Sequence, residues 1–215
     1  MSNPVQEVYA TLEAYHGNLQ WWPAKTPYEV MVGAVLTQNT AWGNVELAIA
    51  NFESLTPQFV QKVAMEELMK IIRPAGFFRQ KAAYLKAVTE WFAKYGFCAQ
   101  AAGSKPLQQL RPELLAVRGI GRETADCILL YALGLPSFVV DAYTMRLCQR
   151  YPMPAGNGYE EVKAYFEKNL PRNVAVYNNY HAMIVMNGKD FCRKSKPKCE
   201  ECPLRALRWG RIVFN

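Results

Sequence analysis

The stretch "LLAVRGIGRETADCILL", residues 114–130, leaves the chain few ways to fold. Apolar residues recur at helical spacing on both sides of a Gly-Ile-Gly. Gly119 and Gly121 can adopt backbone angles closed to other residues, so the chain can reverse within very few steps. The pattern is helix, tight turn, helix. Two side-chain-free positions also let a phosphate approach the main chain, and the second helix starts at once, with Arg122 beside its first turn. Free N–H groups and the helix dipole favour an anion there. Such a hairpin can hold a nucleic-acid backbone without reading its sequence.

The rest of the chain is also helical in pattern. "TPYEVMVGAVLTQN" opens with Thr26 as N-cap, Pro27 at the first helical position and Glu29 completing a capping box. Thr56 and Pro57 repeat that start. "RQKAAYLKAVTEWFAKYG" carries an amphipathic pattern that Gly96 ends, and "RPELLAVRGIG" and "RETADCILLYALG" form the hairpin pair. Further helices are expected over Asp141–Arg150, Tyr159–Asn169 and Val174–Asn187. With no alternating strand pattern and no internal repeat, the predicted fold class is all-α, about ten short helices.

Hydrophobic residues make up 51% of the 215, which marks a folded chain, and no apolar run approaches the ~20 residues of a membrane span. The first residues, "MSNPVQEVYATLEAYHG", lack a basic region followed by an apolar run, so a cytoplasmic protein with no membrane contact is expected. The net charge of +7 points to a polyanionic partner.

At the hairpin the chain resembles the helix-hairpin-helix DNA glycosylases of the endonuclease III superfamily, from about Trp21 to Cys202. The resemblance implies two helical lobes that grip double-stranded DNA with a damaged base across a cleft, and a monomer. One lobe would be residues 25–138 and the other 1–24 plus 139–215. It also implies that Asp141, in "FVVDAYTMR", is the essential carboxylate, a role compatible with capping a helix. Members that also cleave the strand carry a lysine two residues after the second hairpin glycine. Here that position is Glu123, which cannot form an imine, so the chain reads as monofunctional. Water would then attack, with Asp141 stabilising the cationic sugar and orienting or deprotonating the nucleophile.

A base that already carries positive charge leaves easily, so alkylated purines are the expected substrates. Electron-rich aromatics would bind such an electron-poor ring. "LQWWPAKTP" and "LTQNTAWGN" resemble the 3-methyladenine DNA glycosylase branch, which also carries Glu at position 123. That resemblance implies that Trp21 and Trp42 sandwich the flipped base and that Trp22 and Pro23 line the pocket. It also implies that Gln38 fills the gap the base leaves, assisted by Asn39. Arg79 and Lys81, in "GFFRQKAAYL", read as a basic face for phosphate, and His181, in "NYHAMIV", as a hydrogen-bonded structural histidine rather than a base.

Cys192, Cys199 and Cys202 follow a Cys-x6-Cys-x2-Cys spacing. In endonuclease III relatives a fourth cysteine closes a [4Fe-4S] site, and here Arg208 holds that place. Four readings stand: a cluster with a non-cysteine or external fourth ligand, a cluster completed by Cys148, zinc on three thiolates, or an emptied loop held by packing. Any cluster would be structural, shaping the basic loop "RKSKPK" against DNA. Two rival functions remain: an endonuclease III-like glycosylase and lyase for oxidised pyrimidines, against which Glu123 argues, and a non-catalytic DNA-binding module, against which Asp141 and the tryptophans argue.

Overall fold

Asparagine and threonine caps start several of the helices. A computed structural model of the protein describes residues 3–19, 21–151 and 153–207. Asn3 accepts the Val5 N–H at the start of α1 (Pro4–His16). Thr26 accepts the Glu29 N–H at the start of α2 (Pro27–Leu36), although Glu29 itself reaches back to the Lys25 N–H. Then come α3 (Trp42–Ala50), α4 (Pro57–Lys62), capped by Thr56, α5 (Met65–Ile71) and α6 (Phe78–Ala93). After α7 (Ala99–Gly103), the hairpin is built by α8 (Leu107–Leu115) and α9 (Arg122–Cys127). The remaining helices are α10 (Ala142–Arg150), α11 (Tyr159–Asn169) and α12 (Val174–Asp190). No β-strand occurs among the described residues, so the fold is all-α.

Two differences from the sequence pattern have local causes. Helix α8 begins upstream of Pro112 and carries that proline inside. Its Arg111 is fastened to the next helix, which holds the turn despite the missing donor. Helix α9 runs on into a π-helical turn, Ile128–Ala132, which periodicity does not reveal.

The chain forms two compact units, one of residues 22–135 and one of residues 1–21 with 136–215. Both crossings come a few residues before the expected ones, and the first separates Trp21 from Trp22. In the continuous unit, α2 is buried from Val30 through Leu36, as befits a helix apolar on every side. In the other unit α12 is the central helix, packed by α1 and α10. Phe138 stacks on Phe166 beside Tyr177 and Tyr180 in its core.

Lys81 does not join the expected phosphate-facing surface. It is 2% exposed, and its Nζ donates to the carbonyls of Leu36 and Ala75, each at 2.8 Å. The apolar face of α6 turns it inward, whereas Arg79 is exposed. Burial pushes the ammonium down to about 8. The ammonium ties the end of α2 to the 3-10 turn Arg73–Ala75. Lys81→Met keeps the volume but strands two buried carbonyls, each worth about 1–3 kcal/mol. Part of that loss is offset by relieving a buried charge. A net loss of roughly 1–3 kcal/mol is expected in chemical denaturation; wild-type stability would mean that the two terms cancel.

Candidate active site and nucleic-acid interface

The hairpin is stapled from inside. Arg111 on α8 grips Asp126 on α9 with two parallel bonds, Nε to Oδ1 at 2.9 Å and Nη2 to Oδ2 at 3.0 Å. Asp126 is fully buried, and a fork of this kind fixes direction as well as distance. Only one of the two glycines needs its special freedom. Gly119 has φ +81°, and a Cβ there would land on the Tyr84 ring. Gly121 has φ −86°, open to any residue, and among the described residues no heavy atom lies within 4 Å of a Cβ built there. Its value is therefore free approach to the backbone, not conformation. Arg122 and Glu123 are exposed on the first turn of α9.

Gln38 reaches this hairpin from the end of α2. Its Nε2 donates to the Gly119 carbonyl at 3.0 Å and to Thr124 Oγ1 at 2.9 Å. A carbonyl can only accept, which fixes the orientation of the amide. The neighbouring Asn39 is exposed in a left-handed conformation, φ +54°. Phe77, just before α6, shares that conformation at φ +46° and is 63% exposed.

The same unit holds an aromatic cluster. Trp22 meets Trp42 edge to face at 5.7 Å and lies 4.9 Å from Tyr131. Gly33 of α2 lies under both rings, since a Cβ there would touch both indoles at 3.4–3.6 Å. Trp42 Nε1 donates to Glu46 at 2.9 Å, which orients its ring. Trp22 sits at φ +80°, a costly angle for a bulky residue, and its buried Nε1 has no hydrogen-bond partner among the described residues. Pro23 is exposed. Trp21 belongs to the other unit, where Lys189 Nζ lies 5.6 Å from its ring.

In that second unit Asp141 caps α10. Its Oδ1 accepts the Thr144 N–H at 2.8 Å and the Thr144 hydroxyl at 3.0 Å, and Oδ2 faces His181 Nε2 at 3.5 Å. Burial pushes the carboxyl pKa up, but the bond and charge of His181 and the two Thr144 donors outweigh it. The net shift is below the ordinary carboxylate range. A carboxylate that stays ionised while nearly dry can stabilise a cation strongly.

Cys192, Cys199 and Cys202 line one small cavity with Arg150, Tyr151 and Phe191. Arg146 and Arg150 hold the loop by its carbonyls at Cys192, Arg193 and Lys194. Arg150 Nη1 also lies 3.3 Å from Cys192 Sγ. Burial pushes the Cys199 and Cys202 thiols up, and the neighbouring Cys192 adds to it. Cys148 does not line this cavity. It is buried elsewhere, beside Tyr165 and Tyr180, its thiol pushed up to about 12. Arg208 lies outside the described residues.

Residues 32–172 match the model of the HhH-GPD superfamily base excision DNA repair proteins. The chain belongs to the HhH-GPD superfamily. Among similar chains, "Putative DNA repair glycosylase MJ1434" of Methanocaldococcus jannaschii is 47% identical over 207 residues, covering 94% of each chain. Endonuclease III of Thermotoga maritima is 30% identical over 182 residues, covering 83% of this chain and 81% of its own. A solved endonuclease III–DNA covalent intermediate superposes with a TM-score of 0.80 at 22% identity, covering 98% and 97%, a likeness of fold. The Helicobacter pylori 3-methyladenine DNA glycosylase bound to 1,N6-ethenoadenine gives 0.76 at 25% identity, covering 86% and 97%. The protein is thus a base excision repair glycosylase of the HhH-GPD superfamily, all-α and built around the hairpin.

Beside this superfamily's hairpin, sequence reasoning missed Tyr131, because nothing in "CILLYALG" signals the π turn that carries it. It also missed the contact of His181 with Asp141, which joins two helices far apart in sequence. The lowered Asp141 pKa has a direct consequence. The unfolded group titrates near ~4, so the ionised form contributes stability above that pH and loses it as pH falls through the lower folded value. Asparagine caps a helix but does not titrate. The melting-temperature gap between wild type and Asp141→Asn should therefore narrow from about pH 4 downward; a gap unchanged to pH 3 contradicts the assignment.

Proposed function

We propose that the protein is a monofunctional DNA glycosylase that hydrolyses the N-glycosidic bond of alkylated purines, 3-methyladenine among them. The observation that carries this reading is the cluster of Trp22, Trp42 and Tyr131 packed over Gly33, an electron-rich surface for a flat, electron-poor ring. The ligand of the Helicobacter pylori structure, 1,N6-ethenoadenine, is itself an alkylated purine and supports the same class. Glu123, at the lysine position of the strand-cleaving relatives, supports hydrolysis without lyase chemistry.

Asp141 stabilises the sugar as positive charge develops at C1′. The glycosidic electron pair leaves with the base, and a water oxygen bonds to C1′. The water's proton passes to the carboxylate or to solvent. Arg122 and the open backbone at Gly121 take the DNA phosphates. Gln38 braces the hairpin through its amide, and Phe77, exposed just before α6, is an apolar side chain suited to enter the gap in the stack.

Cys192, Cys199 and Cys202 line one small cavity with Arg150, and three cysteines in one loop are the donor type of a [4Fe-4S] cluster, which is the reading we favour. Those residues would hold the cluster, and it would brace the loop. Iron and sulfide in anaerobically purified protein are the expected finding.

Methylated duplex DNA incubated with the protein should release free 3-methyladenine, identified by chromatography. Asp141→Asn should bind DNA normally and release base at least ~10²-fold more slowly. Borohydride should trap no covalent complex; a trapped one would restore the lyase reading. Trp42→Ala should lower release efficiency about 5- to 150-fold while affinity for undamaged duplex holds, since stacking is worth ~1–3 kcal/mol per base. Equal loss of both, with a much lower melting temperature, would make Trp42 a packing residue.

A further inference from the structure

The two oxygens of Asp141 are held by different elements. Oδ1 belongs to its own helix, bonded twice by Thr144. Oδ2 faces α12, where His181 Nε2 stands 3.5 Å away. The carboxylate is 12% exposed and the imidazole 6%. Water therefore has little room to serve as an alternative partner.

The frame that carries the imidazole is rigid. Asn179 accepts the Leu19 N–H at 3.0 Å and Tyr180 donates to the Val5 carbonyl at 2.9 Å, so the residues before His181 are tied to the N-terminal part of the unit. Two turns further along α12, Gly188 lets Tyr143 of α10 press on the helix backbone; a Cβ there would land on the Tyr143 ring. The approach of α10 to α12 is thus set on the face that bears His181. Without the imidazole, Oδ2 loses its contact with α12, and among the described residues only the Thr144 bonds to Oδ1 resist a turn of the carboxylate about Cβ–Cγ.

We propose that His181 is a positioning residue: through Oδ2 it locks the plane of the Asp141 carboxylate and so aims the charge that meets the sugar cation. The inference rests on the reading of Asp141 given above, and it assigns His181 no proton transfer. A displacement of about 1 Å at a reacting group can cost ~10²-fold in rate.

The test is single-turnover base release from methylated duplex at saturating protein, with DNA affinity and thermal unfolding measured on the same preparations. His181→Leu removes the imidazole that faces Oδ2 and should slow release about 10- to 100-fold with affinity unchanged. His181→Gln carries an N–H close to the place of Nε2 and should recover release to within about 5-fold of wild type. In the Asp141→Asn background, His181→Leu should cost nothing further, because its effect passes through the carboxylate. Wild-type release by His181→Leu, or equal loss in the Leu and Gln variants, overturns the proposal. So does an undiminished further loss in the double variant. Should the Leu variant not fold, His181→Asn replaces it. Its shorter amide lies nearer the place of the other ring nitrogen, so Gln must outperform Asn. Full release by Asp141→Asn would instead overturn the reading of Asp141, whatever the histidine variants do.

Discussion

A single buried ammonium organises the unit that carries the hairpin. Lys81 joins α6 to the end of α2 and to the turn before Phe77. Gln38, two residues past the Leu36 carbonyl that Lys81 holds, joins that same end to the hairpin turn. One turn along α6 from Lys81, Tyr84 covers Gly119 and closes a ring of contacts: α6 to α2, α2 to the hairpin, the hairpin back to α6. Three surface loops are therefore fixed relative to one another by side chains that are largely hidden. Such bracing suits a surface that must meet the regular spacing of phosphates, because adjusting flexible loops would cost entropy on every encounter.

The carboxylate of Asp141 serves structure and chemistry with separate atoms. Capping usually costs a carboxylate nothing in function, since one oxygen satisfies the helix. Here the second oxygen is also engaged, and the group stays ionised in a nearly dry setting that would otherwise protonate it. A charge held this way needs little reorganisation when a cation develops beside it, which is how fixed electrostatics accelerates a reaction.

The helices were legible because their signals are local. Thr26 and Thr56 cap where expected, Asp141 starts α10, and Tyr159–Asn169 is helical between the residues the pattern gives. The Gly-Ile-Gly turn was legible too, though only Gly119 uses its freedom. What escaped depended on distance in sequence. Lys81 lies in a basic, exposed-looking stretch, and only the apolar face of α6 decides that it points inward. The histidine partner of Asp141, the π turn under Tyr131 and the position of Cys148 away from the cysteine loop are products of packing between helices. No spacing rule within one helix encodes them.

The unit of residues 22–135 is one continuous segment set into a unit made of both ends of the chain. Chain order therefore becomes an order of events at the ribosome. The carbonyl of Val5 is bonded by Tyr180, 175 residues later. At 5–20 residues per second, helix α1 waits roughly ten to thirty-five seconds for its partner. Through that interval the inserted segment can complete its own core, while Val5, Val8 and Leu12 have nothing of their unit to rest against. The apolar stripe of α1 is thus a temporary burden of biosynthesis. The half of the protein that carries Asp141 comes into being last.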